Sequence, residues 1–136
     1  MIEVKRLLPN EWNSYSESAH AIAFNEKRAP TMDRISFALL VGDGVLPLGF
    51  ITCLELNAES VYIQHGGATP ASIGTSKSYE VWTVMLKWLQ EHGYKTATML
   101  VKNTNKKMIR FAMDEFLVTG TSNFKNEVYI EFTKQF

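Results

Sequence analysis

The 136-residue sequence has one cysteine, Cys53, four prolines and a formal net charge of zero. A single cysteine cannot form an internal disulfide, so a reducing compartment such as the cytoplasm is expected. A chain without net charge is not expected to bind nucleic acid or an anionic membrane surface. Its apolar runs are too short to cross a bilayer, and the opening MIEVKRLLPNEW lacks the apolar core of a signal peptide. These absences predict a cytoplasmic globular protein.

Three kinds of chemistry are also missing from the pattern. His20, His65 and His92 show no ligand spacing with one another or with Cys53, so no metal site is expected. Cys53 lies in a strand-like run without a neighbouring base and is expected to be a buried packing thiol. The segment from Gly74 to Ser78 lacks the Gly-Lys-Ser/Thr ending of a nucleoside-triphosphate loop, which excludes an ATPase.

What is present is the composition of one folded domain. Apolar residues make up 46% and charged residues 21% of the chain, which are ordinary values for a globular protein. No repeat, low-complexity tract or linker divides the sequence. We therefore expect residues 1–136 to form a single domain around one hydrophobic core.

The most organised stretch runs from Val61 to Gly93. A strand-like segment (Val61 to His65) leads through a turn region (Gly66 to Ser78) into an amphipathic helix, which Gly93 is expected to end in a left-handed conformation. The apolar face of that helix comprises Val81, Trp82, Met85, Leu86, Trp88 and Leu89. A helix N-terminus after small residues predicts a place for an anion, although the serines are equally consistent with simple caps.

Periodicity and turn residues predict the remaining elements. They are a strand from Ile2 to Leu7, a helix from Pro9 to about Glu26, a loop from Lys27 to Asp33, strands Arg34 to Val41 and Leu46 to Leu56, a strand from about Lys95 to Val101, a short helix capped by Asn103 or Thr104, and closing strands Leu117 to Thr121 and Glu127 to Thr133 around a turn region (Ser122 to Asn126).

The resulting order is β-α-β-β-β-α-β-α-β-β. Strands joined through the central helix are expected to be parallel neighbours, and the other pairs to be mostly antiparallel. The fold class is therefore α+β, with a mixed, mostly antiparallel sheet of about seven strands flanked by helices. Where parallel strands diverge beside a helix N-terminus, a cleft for a phosphate-bearing ligand is expected.

A local motif carries a family resemblance. Ala68-Thr69-Pro70 is followed by Gly74-Thr75-Ser76-Lys77-Ser78 and then by Val81 and Trp82 in the helix. With the element order, this resembles the GNAT superfamily of acetyl-CoA-dependent N-acetyltransferases over nearly the whole chain. The resemblance implies acetyl-CoA as a substrate, with its pyrophosphate held by main-chain N–H groups of the loop. The cofactor-binding residues it implies are Ala68, Gly74, Thr75, Ser76, Lys77, Ser78 and Asn105.

The resemblance also implies a reaction in which an acetyl group passes to an acceptor amine. A base near the fourth strand must remove a proton from that amine, and His65, Glu59 and Glu55 are the candidates by position. Histidine ordinarily titrates near neutral pH, which suits proton transfer. Each candidate is also consistent with a polar strand residue that has no chemical role. Backbone groups of Gly67 and Ala68 would contact the oxyanion.

Several positions depart from the family pattern. Ile73 stands where the family has Arg or Gln, and Gly74 is the one glycine left of three in the loop. The tyrosine that protonates the departing thiolate falls on Ala112 when counted from Asn105, or on Phe111 when counted back from the family's Gly-Phe step. Two functions therefore stay open. One is an acetyltransferase acting on an unidentified amine, and the other is a catalytically inactive GNAT-fold binding or structural protein, such as a phage-encoded one.

An exposed edge strand near the C-terminus could also pair with another subunit. This would make the chain a homodimer.

Overall fold

The structure is a computed structural model that describes residues 2–13, 35–69 and 76–136. Its elements are β1 (Glu3–Leu7), α1 (Pro9–Asn13), β2 (Phe37–Gly42), β3 (Pro47–Asn57), β4 (Ser60–Ala68), α2 (Ser76–Glu91), β5 (Thr96–Lys102), α3 (Lys106–Glu115), β6 (Leu117–Phe124) and β7 (Glu127–Gln135). The predicted α+β class and element order are confirmed. The predicted continuation of α1 to Glu26 and the loop from Lys27 to Asp33 lie outside the described residues.

The seven strands form one sheet in the order β1-β2-β3-β4-β5-β7-β6. β4 and β5, which are connected through α2, are parallel as predicted, and the other neighbouring pairs are antiparallel. β6 and β7 form a hairpin whose turn residues Lys125 and Asn126 both have positive φ, 51° and 64°. This is the backbone of a type I′ turn, which matches the twist of a two-residue hairpin.

The sheet has two different faces. α2 and α3 pack on one, called here the helix face, where they share a buried core with residues such as Ile51 and Phe132. α1 packs on the opposite face over β2 and β3, where Trp12 lies against Phe50 with 5.1 Å between ring centroids. Because side chains alternate along a strand, each strand contributes to both faces.

Five of the six residues predicted for the apolar face of α2 are buried, and Trp88 is half-buried against Phe37. Gly93 adopts φ 91° just after the helix, so its predicted left-handed conformation is confirmed. Cys53 is a free, fully buried thiol in β3. Burial raises its pKa, so the thiol stays protonated, and its predicted role as a packing residue is confirmed.

Two glycines let α2 lie close to the sheet. A Cβ at Gly49 would lie 2.6 Å from Val81 Cγ1 and 2.9 Å from the carbonyl oxygen of Gly67. A Cβ at Gly66 would lie 3.0 Å from the ring of Trp82. All three distances are shorter than ordinary van der Waals contact. The first turns of α2 therefore sit directly on β3 and β4 because these two strand positions lack side chains.

The structure corrects several predicted boundaries. β4 does not end at His65 but runs to Ala68, because Gly66 and Gly67 pair with β3 instead of forming a turn. β6 likewise continues through Phe124, so the predicted turn region from Ser122 was too long. The short helix α3 is capped by Asn105, not by Asn103 or Thr104.

Candidate functional site

The sheet opens between its two parallel strands. β4 and β5 pair from Ser60 with Thr96 to Ile63 with Met99, and no pair follows. Both strands nevertheless continue, β4 to Ala68 beside β3 and β5 to Lys102 beside β7. The strands therefore diverge past Ile63, which is the arrangement in which the sequence analysis expected a cleft. We call this gap the β4–β5 opening.

A β-bulge in β4 marks the place where the opening begins. Thr52 pairs with His65 and Cys53 pairs with Ile63, so Gln64 is an extra residue opposite the regular ladder. The hydroxyl of Thr52 accepts the N–H of His65 at 3.2 Å. Bulges bend a strand and increase its twist, and this one coincides with the point at which β4 leaves β5.

The backbone of β4 beyond the bulge faces two directions. The N–H of Thr69 donates to the carbonyl oxygen of Leu48 in β3 at 2.9 Å. Since backbone groups alternate between the two neighbours of a strand, those of Gly67 also point to β3, and those of Ala68 point into the opening. An extended ligand in the opening could therefore pair with the main chain of Ala68.

The start of α2 lies above this end of the opening. Its first residues are Ser76, Lys77 and Ser78, and Trp82 in the second turn rests on Gly66 of β4. The start of α2, where the positive end of the helix dipole lies, is therefore close to the C-terminal half of β4. Gly74 and Thr75 lie outside the described residues, as does Ile73, which stands where the family has Arg or Gln.

Lys77 lies near the turn between β2 and β3. The carboxylate of Asp43 in that turn accepts the N–H groups of Leu46 and Val45, at 2.8 and 2.9 Å. These two hydrogen bonds lower the pKa of Asp43, and the charge of Lys77 adds to the effect. Lys77 is the second residue of α2, and its ammonium group is within electrostatic reach of the Asp43 carboxylate.

α3 follows β5 and packs against α2. The side chain of Asn105 caps this helix by accepting the N–H of Met108 at 3.3 Å. Phe111 is half-buried and contacts Tyr79 and Trp82 of α2, with ring centroids 5.1 and 5.4 Å apart, whereas Ala112 is fully buried in the core. Of the two residues that the sequence left open for the family's tyrosine, Phe111 is the one facing α2. Neither side chain carries an acidic proton.

A hydrogen-bond chain also joins the two helices. The hydroxyl of Tyr79 donates to Glu115 Oε1 at 2.5 Å, and Lys134 Nζ lies 3.3 Å from Glu115 Oε2. Donation from Tyr79, followed by the charge and hydrogen bond of Lys134, lowers the pKa of Glu115. The same hydrogen bond raises the pKa of Tyr79. Together with Phe111, this chain holds the start of α2 to the end of α3.

The three candidate bases are not brought together. His65 lies at the bulge, where the opening begins. Glu55 and Glu59 lie toward the beginning of β4, at the paired end of the two parallel strands. The carboxylate of Glu55 accepts the hydroxyl of Tyr94, and that of Glu59 lies 3.5 Å from Lys95 Nζ. The structure thus places one candidate of the three, His65, beside the opening.

The opposite face beside the opening holds polar residues that the sequence reading did not single out. Tyr62, Tyr129 and Glu131 are half-buried there, on β4 and β7. Burial raises the pKa of Tyr62, with smaller contributions from Glu131 and Tyr129. The hydroxyl of Thr119 donates to Glu131 Oε1 at 2.8 Å. The alternation of side chains along β7 indicates that Tyr129 and Glu131 share one face of the sheet. Placing them beside the opening also requires knowing that β7 pairs with β5.

Among the described residues, no three or more histidine, cysteine, aspartate or glutamate side chains are grouped so as to hold a metal ion. In the same ranges of the chain, no helix has the length and apolar character needed to span a membrane.

Solved structures share this architecture. An IAA acetyltransferase from Bacillus cereus superposes with a TM-score of 0.75 at 10% identity, covering 100% of both chains. A GNAT family acetyltransferase from Elizabethkingia anophelis with acetyl-CoA bound gives 0.74 at 11% identity, covering 99% of this chain and 98% of that one. An N-acetyltransferase from Staphylococcus aureus gives 0.72 at 15%, covering 99% and 97%. No protein-family model matches the chain, and no curated protein sequence matches it. The chain therefore has the GNAT acetyltransferase fold.

Proposed function

We propose that this GNAT-fold chain is an acyl-CoA-dependent N-acetyltransferase that uses acetyl-CoA to acetylate an amine. The observation that carries the proposal is the β4–β5 opening beside the start of α2. A strand edge without a neighbouring strand suits an extended amide-containing chain, and the positive end of a helix dipole suits a pyrophosphate. Acetyl-CoA presents both groups in one molecule.

The residues suited to acetyl-CoA follow from their positions. The outward-facing backbone of Ala68 would pair with the amide-containing arm, and the α2 start with Ser76, Lys77 and Ser78 would meet the pyrophosphate. Gly74 and Thr75 come just before that start in the sequence and belong to the same proposal. Asn105 would contribute through its position as the cap of α3, directly after the end of β5.

His65 is the residue that we assign as the base. It would take the proton of the acceptor amine while the new C–N bond forms and the C–S bond of the thioester breaks. Because Phe111 and Ala112 carry no acidic proton, the departing thiolate would be protonated by water. The acceptor would approach from the opposite face, past Tyr62 and Glu131. We place this activity in the cytoplasm because the protein's one thiol is free.

Phe111 favours a second candidate function. It lies between α2 and α3 and makes aromatic contacts with Tyr79 and Trp82 in place of the family's proton donor. A protein with this arrangement could retain the fold, and even the ligand, without catalysing acetyl transfer. The alternative is a catalytically inactive GNAT-fold binding or structural protein.

Turnover separates the two functions. We expect wild-type protein to release free CoA thiol from acetyl-CoA in the presence of an amine from a screened panel. His65→Gln should lower kcat by about a hundredfold or more, since it removes the base, while leaving acetyl-CoA affinity unchanged. Glu59→Gln is the matched control and should keep full turnover, because Glu59 lies at the paired end of the strands.

Full turnover in His65→Gln would remove that residue as the base. Tight acetyl-CoA binding without turnover on any amine would support the inactive binding protein instead.

A further inference from the structure

β6 is an edge strand without the charges or proline that commonly protect such a strand against pairing. It ends the strand order and bonds to β7, and no second strand lies beside it among the described residues. Its eight residues, LVTGTSNF, contain no charged residue and no proline. Leu117, Val118 and Phe124 are 66%, 53% and 60% exposed. Natural proteins usually block such edges with charges, proline, bulges or short length, because open backbone groups recruit another strand. Of these devices β6 has only a bulge, at Thr119.

The other edge of the same sheet shows the contrast. β1 has five residues, EVKRL, three of which are charged: Glu3, Lys5 and Arg6. That edge is short and charged, in the manner expected of a protected strand. The absence of such protection on β6 is therefore specific to one edge of this sheet.

The sequence of β6 is compatible with pairing to itself. Its pairing to β7 skips Thr119, so Thr119 is a bulge residue. With that residue set aside, antiparallel pairing about a two-fold axis at Thr121 aligns Leu117 with Phe124 and Val118 with Asn123 of the second copy. Leu117 lies opposite Thr133 and Phe124 opposite Glu127, which share one face of β7, so the aligned side chains lie on the same face.

Charge at the two ends of β6 also fits an antiparallel partner. Asp114 precedes the strand and Lys125 follows it, whereas the neighbouring Glu115 is already paired with Lys134. Antiparallel pairing of two copies brings the acidic end of each copy toward the basic end of the other. The uncharged strand between them places no like charges opposite one another.

We propose that two copies of this chain associate through β6, joined antiparallel about a two-fold axis at Thr121 into one continuous sheet. The self-complementary alignment favours a second copy over an unrelated strand, because each apolar end residue meets the other apolar end residue. The proposal does not rest on the proposed acetyltransferase activity, since neither His65 nor the β4–β5 opening takes part in it.

Introducing a charge at the two-fold axis tests the proposal. Sedimentation equilibrium should give the wild type a concentration-dependent dimer mass. Thr121→Lys and Thr121→Glu should each raise the dimer dissociation constant at least tenfold, because each places two like charges directly opposite at the axis. A mixture of the two variants should regain the dimer mass, since the charges are then opposite in sign. Circular dichroism and the urea midpoint verify that both variants fold.

A wild type that remains monomeric at the highest soluble concentration would overturn the proposal. So would single variants that dimerise like the wild type, or a mixture that stays monomeric, because either result places the axis elsewhere.

Discussion

At the scale of single residues, the hydrogen-bond chain from Tyr79 through Glu115 to Lys134 links elements that are distant in the sequence. Tyr79 lies in the first turn of α2 and Glu115 is the last residue of α3, so their contact fixes one helix relative to the other. A carboxylate that accepts such hydrogen bonds is favoured in its ionised form. The lowered pKa of Glu115 therefore reports on the α2–α3 contact.

Removing the tyrosine hydroxyl should make this effect measurable. In Tyr79→Phe, the pKa of Glu115 should rise toward its ordinary value of 4.5, because its first hydrogen-bond donor is gone. Carboxyl-carbon NMR through an acid titration measures it. Tyr129→Phe is the matched control, since it removes a hydroxyl that donates to Glu127 instead. An unchanged Glu115 titration in Tyr79→Phe would contradict the contact.

The lowered pKa of Glu115 also determines how the unfolding free energy changes with pH. Glu115 has a lower pKa in the folded state than in the unfolded chain, so its contribution is present above pH 4.5 and is lost as the pH falls through the folded-state value. The unfolding free energy of Tyr79→Phe should therefore depend less on pH in the acid range below 4.5 than that of the wild type.

For single residues, the sequence predicted the buried thiol and the end of α2. It did not predict which residue of α3 faces α2 or which residue caps α3. Cys53 and the helix-ending Gly93 followed from local rules and were predicted. The choice between Phe111 and Ala112 could not be made from the chain, because it depends on which side of α3 meets α2. Asn105 was missed as the cap because Asn103, Thr104 and Asn105 are all good capping residues, and spacing alone does not select among them.

At the scale of elements, the position of α2 depends on two glycines beneath it. Gly49 and Gly66 leave room for Val81 and Trp82, which brings the helix start to the end of β4. The sequence predicted a turn from Gly66 because glycine pairs usually punctuate strands. In the structure Gly66 and Gly67 stay in the strand by pairing with β3, and Trp82 of α2 fills the space that a side chain at Gly66 would occupy.

Filling one of these positions should destabilise the protein. Gly49→Ala places a methyl group against Val81 and against the backbone oxygen of Gly67, which cannot move as a side chain can. We expect a loss of about 2 kcal/mol in unfolding free energy, typical of an overpacked core. Urea denaturation measures it. Gly120→Ala is the control, because its nearest contact would be 4.0 Å away, and an equal loss in both variants would contradict the account.

At the scale of the whole molecule, element order and parallel strand pairing were predictable from periodicity, but strand neighbours were not. The insertion of β7 between β5 and β6 brings Glu131 and Tyr129 beside the opening, and no local pattern indicates that arrangement. The sequence predicted a cleft wherever parallel strands diverge beside a helix N-terminus, but not that β4 and β5 would diverge. The exact start of the opening, at the bulge, depends on tertiary pairing.

The molecule as a whole is consistent with either proposed function, since the fold is shared by proteins of differing activity. In either function, a bound CoA ligand would occupy the β4–β5 opening. The loop sequence keeps Gly74 as the one glycine of the family's three, and α2 begins at Ser76, just after it. Ligand binding is thus the first property to establish.

The most direct test is isothermal calorimetry with acetyl-CoA on wild-type protein and on two charge variants of α2. We expect saturable binding of one acetyl-CoA per chain. Lys77→Glu should weaken this binding about tenfold, because it places a negative charge at the start of α2, where the pyrophosphate is proposed to bind. Lys87→Glu is the matched control, since this exposed residue lies well beyond the helix start, and it should bind like the wild type. Absence of binding at millimolar acetyl-CoA would contradict the assignment of the opening, and equal affinity in all three proteins would contradict the placement of the pyrophosphate.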